Sequence, residues 1–188
     1  LIMPDGSYEW DEKMTEKFSH WLEEGGVMIA LEDANEWLSQ KDWISWEKIK
    51  THNADTNNRE VYPYRSRRNR RGAESISGII LRSSIDQTHP LGYGIDDSSL
   101  PVFKGDNLFV KKSKDPYSTP LWIEEDPLIS GYLPEEHKGS LENSAWCLVN
   151  RKGSGKIISF TDNPNFRGYW YGTEKVFLNA IFYGRLVR

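Results

Sequence analysis

The chain has 188 residues, of which 37% are hydrophobic, and this is enough to bury the core of one generous domain. Its net charge of −4 and its isoelectric point near 5.6 disfavour sequence-independent binding of nucleic acid, because such binding needs a broad positive electrostatic field. No apolar run is long enough to cross a bilayer, and a single cysteine excludes an internal disulfide. These bounds predict one domain over residues 1–188, with no nucleic acid partner and no membrane span.

The N-terminal segment predicts a strand, a helix and a second strand. Residues 1–3 read as the tail of a buried strand, and an amphipathic helix follows from Trp10, capped by Ser7 and stopped at Gly25. Val27–Leu31 is an unbroken apolar run, typical of a strand that is buried on both faces of a parallel sheet. We therefore expect a right-handed strand-helix-strand crossover in a domain that is truncated at its N-terminus.

The next segment predicts a short helix over residues 34–38 and then a surface excursion over residues 40–75. This excursion includes a tryptophan-rich stretch, a polar stretch without periodicity, and a run rich in arginine at residues 65–71. A charge run of this kind is usually a solvated loop, and the alternative is a patch that binds phosphate, an acidic glycan or an acidic partner. The sequence leaves the role of the run open.

The second half predicts strands and a final helix. Residues 76–84 and 100–110 offer strand material, and residues 146–149 and 156–160 predict a hairpin across Gly153, Ser154 and Gly155. Phe177, Ala180, Ile181 and Gly184 share one face of a helix that begins near Thr173. The pattern as a whole predicts an α/β fold with a mostly parallel central sheet.

The expected positions for catalytic groups hold no catalytic residue. In α/β hydrolases and amidotransferases the nucleophile occupies a tight strand-to-helix turn, but here that turn is Leu31, Glu32, Asp33 and Ala34. Cys147 lies within an apolar strand pattern without an adjacent base, which indicates an inert thiol. We therefore predict no catalytic residue, no metal ligand and no cofactor for this chain.

Asp86 and His89 are close enough in sequence to share one turn. They could bind a cation together, or they could stabilise the turn by hydrogen bonds, and the second role is the commoner one for such residues.

The stretch from Asp162 to Thr173, hereafter the 162–173 loop, combines turn residues, a cation and aromatic residues between an apolar strand and an apolar helix. One interpretation is a rigid corner that leads into the last helix. The other is a surface that recognises sugars or peptide ends, with Trp170 and Tyr171 as platforms and Asn165 and Arg167 as hydrogen-bond donors. Its position at the carboxyl end of a strand favours binding modestly, since open α/β sheets bind ligands there.

The same loop, together with the helix that follows it, resembles the C-terminal domain of large bacterial zinc carboxypeptidases of the carboxypeptidase A type, found in Bacteroidetes-like secreted proteins. Further matching segments are residues 4–6, 21–26, 88–92 and 126–132, so the resemblance covers nearly the whole chain.

The resemblance implies a class I glutamine amidotransferase-like, flavodoxin-like three-layer sandwich that is secreted or periplasmic and follows a peptidase domain. In that family the domain is thought to be non-catalytic, and zinc belongs to the upstream peptidase domain. Two functions remain open. The chain is either an accessory domain that docks on or regulates the peptidase domain, or a module that binds glycan or peptide through the 162–173 loop.

Overall fold

A computed structural model describes residues 1–50 and 61–187, except for the side chains of Arg68, Arg70 and Arg71. The described part of the chain contains both helices and strands, and they do not alternate regularly. The strands are β1 (Ile2–Met3), β2 (Val27–Leu31), β3 (Ile79–Ile85), β4 (Ser99–Lys104), β5 (Leu121–Ser130), β6 (Ala145–Lys152) and β7 (Gly155–Phe160). The helices are α1 (Glu12–Glu23), α2 (Ala34–Gln40), α3 (Arg67–Ala73), α4 (Glu135–Leu141) and α5 (Tyr171–Tyr183).

The fold is a mixed α/β structure built on one seven-stranded sheet in the order β1-β2-β7-β6-β5-β3-β4. β1 pairs with β2 in parallel, and β2 pairs with β7 in parallel, as the predicted crossover requires. Every other pairing is antiparallel, so the prediction of a mostly parallel sheet was wrong. The reason is local: β6 and β7 form the predicted hairpin with Lys152 opposite Gly155, and a tight hairpin reverses the chain direction.

β2 is buried on both faces, as its apolar run predicts. Met28 and Ala30 pack with residues of α1 and α2, among them Leu22 and Trp37, in one cluster. Ile29 and Leu31 point to the opposite face and pack with Val176 and Ala180 of α5. Successive residues of a strand point to opposite faces, so β2 joins the two layers of the core.

The start of α1 differs from the prediction. The N-cap is Asp11 rather than Ser7, and its side chain accepts a hydrogen bond from the Met14 N–H at 2.7 Å. Both residues are good N-caps, but Asp11 stands directly before the first residue of the helix.

The segment at residues 40–75 is only partly a surface excursion. Trp43, Ile44 and Trp46 are buried in the cluster formed with α1 and α2, which corrects the prediction for this part. Residues 51–60 lie outside the described residues. The arginine-rich run forms the end of a 3₁₀ turn and most of α3, where Arg65 and Arg67 are exposed.

Two elements escaped the prediction altogether. β5 carries Pro127 and the left-handed residue Asp126, with φ of 44°, and its pairing with β3 shifts register there. α4 is a seven-residue helix that precedes β6. Within the described ranges, no helix has the length and apolar character that crossing a membrane requires.

Candidate functional site

The two ends of the sheet carry different chemistry. At one end, called here the carboxyl edge, the parallel strands β1, β2 and β7 finish, and an acidic side chain follows each of them. Asp5 follows β1, Glu32 follows β2 directly, and Asp162 follows β7. Ligands of open α/β sheets bind at this edge, so its geometry decides whether the fold retains a reactive centre.

The centre of the carboxyl edge is a buried ion pair between Lys104, the last residue of β4, and Asp162. The Lys104 Nζ donates to Asp162 Oδ2 at 2.9 Å and to Asp106 Oδ1 at 2.9 Å. Asp162 also accepts from the Gly105 N–H and from the Thr161 hydroxyl, each at 2.9 Å. Burial opposes the charge of Lys104, but the two carboxylates more than offset this effect and raise the pKa of the ammonium group.

This ion pair is a structural connection between β4 and β7 rather than a reactive group. Both side chains are only 3% exposed, and each forms at least two hydrogen bonds. A buried pair of this kind holds two segments in one register, because separating them would leave an uncompensated charge in the interior.

Glu32 lies in a strand-to-helix turn, the kind of turn in which α/β hydrolases and amidotransferases place a nucleophile. It lies in the turn between β2 and α2 with φ of 49°, in the left-handed region that side chains rarely adopt. Burial raises its pKa from 4.5 to about 7, and the carboxylates of Asp5, Asp162 and Asp106 add to the rise. The backbone N–H of Asn163 opposes it by donating a hydrogen bond.

A carboxyl group with this pKa can hold or release a proton near neutral pH, and among the described residues the thiol is not close enough to the surface to be its partner. The sole cysteine, Cys147, lies in the middle of β6 and is fully buried. Burial strongly raises the pKa of its thiol, so the thiolate is not available at neutral pH. Neither Glu32 nor Cys147 forms part of a nucleophile-base pair.

The 162–173 loop continues from this edge as a rigid corner. Phe166 stacks on Phe103 of β4 with ring centroids 3.8 Å apart and planes inclined by 14°. The guanidinium of Arg167 lies 5.1 Å from the Phe166 ring centroid, and Arg167 has φ of 55°. The Thr173 hydroxyl donates to the Pro164 carbonyl at 2.6 Å and so ties the start of α5 to the loop.

The predicted binding residues of this loop do not converge on one pocket. Asn165, Arg167 and Tyr171 are exposed, whereas Trp170 is half-buried and its Nε1 has no hydrogen-bond partner among the described residues. None of the four lines any of three cavities, of about 760, 670 and 410 Å³, that the described part of the chain encloses. The arrangement is an exposed polar and aromatic surface on a rigid support.

Asp86 and His89 lie at the opposite end of the sheet, called here the amino edge. Asp86 Oδ1 accepts hydrogen bonds from the Thr88 N–H at 2.9 Å and from its hydroxyl at 2.6 Å. Although burial opposes ionisation of Asp86, these bonds hold its pKa below the ordinary range. His89 Nδ1 accepts from the Leu91 N–H at 3.2 Å, so the two residues shape the turn between β3 and a 3₁₀ segment at Pro90–Gly92.

The same turn forms one wall of a cavity of about 760 Å³, hereafter the amino-edge cavity. Sequence reasoning found two of its residues and missed the others, because they come from distant parts of the chain. Its lining side chains are mostly polar or aromatic: Asp86, Thr88, His89, Tyr93, Asp115, Tyr117, Arg151 and Arg185. Arg151 lies near the end of β6, next to the β6-β7 hairpin, and Arg185 follows α5. Neither residue belongs to a local sequence motif that would predict a binding site.

The cation hypothesis for Asp86 and His89 finds no ligand set. Among the described residues, no group of three or more His, Cys, Asp or Glu side chains could hold a metal ion. Two arginines in the same cavity also disfavour a metal cation that brings no negative charge with it.

Comparison with known proteins places the fold but not the function. No protein-family model matches the chain, and no curated protein matches it. Among solved structures it is similar to a ThuA-like protein from Parabacteroides merdae ATCC 43184, with a TM-score of 0.52 and 11% sequence identity. The similarity covers 85% of this chain and 58% of that protein's length. At this identity the likeness shows the α/β fold alone.

Proposed function

We propose that this chain is a non-catalytic accessory domain of flavodoxin-like, class I glutamine amidotransferase-like architecture, which docks against the zinc carboxypeptidase domain of a secreted or periplasmic protein. One observation carries the non-catalytic part: the strand-to-helix turn after β2 holds Glu32 where a nucleophile would have to stand. The ThuA-like neighbour supports the architecture. The peptidase partner is supported by the sequence resemblance, and zinc would belong to that partner.

The docking surface that we propose is the outer face of α5 beside the free edge of β1. Leu178, Ile181 and Phe182 recur at spacings of three and four on one helix face and are exposed, Phe182 to 74%. Leu1 and Ile2 are exposed next to them, and a cavity of about 670 Å³ separates the strand from the helix. An exposed contiguous apolar surface of this kind marks a protein-protein contact.

The partner domain should lose affinity when this surface is made polar. We expect Phe182→Ser to weaken the association of the separately purified chain and peptidase domain by at least about tenfold, since a central aromatic residue contributes 2 kcal/mol or more at an interface. The matched control is Tyr171→Ser, because Tyr171 is similarly exposed at the other end of α5. Sedimentation velocity measures both. Absence of association, or equal losses in the two variants, would refute docking through α5.

The non-catalytic assignment has its own test. The isolated chain should not release C-terminal residues from peptides, with or without added zinc. Zinc-dependent release that survives purification of the chain would overturn the assignment.

A second function, binding of glycan or peptide by the 162–173 loop, is favoured by the exposure of Asn165, Arg167 and Tyr171 on a rigid corner. Here the roles of the two variants reverse. Tyr171→Ser should abolish retention of the chain on insoluble cell-wall glycan while Phe182→Ser leaves it unchanged. Retention that is equal for both variants and the original chain would contradict a role for the loop.

A further inference from the structure

We propose that the amino-edge cavity binds a small zwitterion, a free amino acid or short peptide, with its carboxylate held by Arg151 and Arg185 and its ammonium group held by Asp86 and Asp115. This site lies at the opposite end of the sheet from the 162–173 loop and does not depend on docking through α5. A volume of about 760 Å³ is within the range of small-molecule sites and accommodates a ligand of this size.

The positive side of the cavity is free to bind. Neither the Arg151 nor the Arg185 guanidinium forms a hydrogen bond or an ion pair with any residue in the ranges 1–50 and 61–187. A guanidinium presents donors in a planar fork that matches a carboxylate in a two-pronged contact. Two guanidinium groups that line one cavity, and that have no partner among the described residues, can donate hydrogen bonds to a ligand carboxylate.

His89 adds a buried donor to the same wall. Its Nδ1 accepts from the Leu91 N–H, so the proton of the neutral ring is on Nε2. His89 is only 9% exposed, and its Nε2 is buried without a hydrogen-bond partner among the described residues. A buried donor without an acceptor destabilises the empty protein, and a ligand oxygen beside it would remove this defect.

The negative side of the cavity selects against a simple anion. Thr88 donates both of its hydrogen bonds to Oδ1 of Asp86, and the backbone N–H of His89 also stabilises the ionised carboxylate. Asp115 accepts from the Tyr117 N–H and the Ser118 hydroxyl, and the positive charge of Arg151 helps to lower its pKa. Two ionised carboxylates offset the charge of the two guanidinium groups, so the cavity attracts a phosphate dianion less than a purely basic site would and complements a ligand that carries both charges.

The aromatic side chains fit the remaining part of such a ligand. Tyr93 and Tyr117 line the cavity, and Tyr117 is 80% exposed in the absence of a ligand. Their rings offer apolar surface for a side chain, while Pro90 and Leu186 close the wall between them. The combination of separated charges and apolar walls indicates an amino acid with an apolar side chain.

Titration calorimetry with matched ligands tests the proposal. We expect L-leucine and leucyl-leucine to bind with a dissociation constant of about 1 mM or tighter. Leucine amide, which lacks the carboxylate, and N-acetyl-leucine, which lacks the ammonium group, should each bind at least about tenfold more weakly. If inorganic phosphate or N-acetyl-leucine binds as well as leucine, the cavity is a general anion site and the proposal fails. Absence of binding by both zwitterions also refutes it.

Variants then assign the site. Arg151→Gln and the isosteric Asp86→Asn should each weaken leucine binding at least about tenfold, because each removes one charge-assisted contact. The matched control is Arg82→Gln, an exposed arginine of β3 that does not line the cavity. Asp86→Asn should leave binding of N-acetyl-leucine unchanged, a result that loss of the fold could not produce. Unchanged leucine binding in Arg151→Gln would place the ligand elsewhere and overturn the assignment.

Discussion

Replacing Glu32 by glutamine should change the pH dependence of stability. The pKa of Glu32 is raised from 4.5 to about 7 in the folded chain, so the folded state holds a proton that the unfolded state has lost between these values. Stability therefore falls as pH rises through this window and stays low above pH 7. Glu32→Gln removes the ionisation and should make the chain more stable than the original at pH 8.

The expected size follows from the two pKa values. A pKa of about 7 in place of 4.5 corresponds to about 3.4 kcal/mol at 1.36 kcal/mol per pH unit. Glu32 is only half-buried, and water screens part of the effect, so we expect roughly 1 to 2 kcal/mol. Well below pH 4.5 the advantage of glutamine should vanish, because the folded and unfolded states then both bind the proton.

Urea unfolding at pH 5 and pH 8, followed by tryptophan fluorescence, measures this difference. The matched control is Asp33→Asn, which replaces the adjacent exposed carboxyl group, and the effect of Glu32→Gln at each pH is measured relative to it. If Glu32→Gln has the same effect at pH 5 and pH 8, the carboxyl group is ionised normally and the acidic environment described at the carboxyl edge is wrong.

Two further substitutions and one labelling reaction test the core. Lys104→Met should destabilise the chain by about 3 to 5 kcal/mol in urea unfolding, because it leaves Asp162 buried without its partner; a loss below about 1 kcal/mol would mean that water reaches the pair. Gly155→Ala should cost about 2 kcal/mol or more, since a Cβ there would lie 2.0 Å from the Leu22 carbonyl oxygen, and a neutral result would show that α1 can move away. Cys147 should react with Ellman's reagent only after unfolding, because it is buried in β6; fast labelling of the folded chain would contradict this.

The elements with a strong local signal were predictable. The parallel crossover, the β6-β7 hairpin and α5 follow from apolar periodicity and from Gly153 and Gly155, which mark the reversal. β5 was missed because Pro127 and the left-handed Asp126 break its pattern, and such a bulge is stabilised by β3 rather than by its own sequence. The burial of Trp43 and Trp46 was missed because charged neighbours made the segment look solvated.

The candidate sites also differ in whether neighbouring residues in the sequence or distant parts of the chain form them. The 162–173 loop could be recognised from sequence because its aromatic and turn residues are adjacent. The partner of Asp162 could not, since Lys104 lies 58 positions away and reaches it only through the order of the strands. The amino-edge cavity combines Asp86, Arg151 and Arg185 from three distant parts of the chain, and only the fold brings them to one cavity. The local sequence predicts turns and surface loops, whereas a pocket depends on how the topology brings distant residues together.

The position of β7 between a hairpin partner and a parallel partner has a consequence for the order of folding. β6 lies next to β7 in sequence, so this pairing closes a short loop and costs little chain entropy. β2 is far away: the Asn35 side chain that caps the junction donates to the Phe160 carbonyl across 125 positions. We therefore expect the antiparallel part of the sheet to assemble first and the β1-α1-β2 unit to dock last, as the slow step that completes both layers of the core.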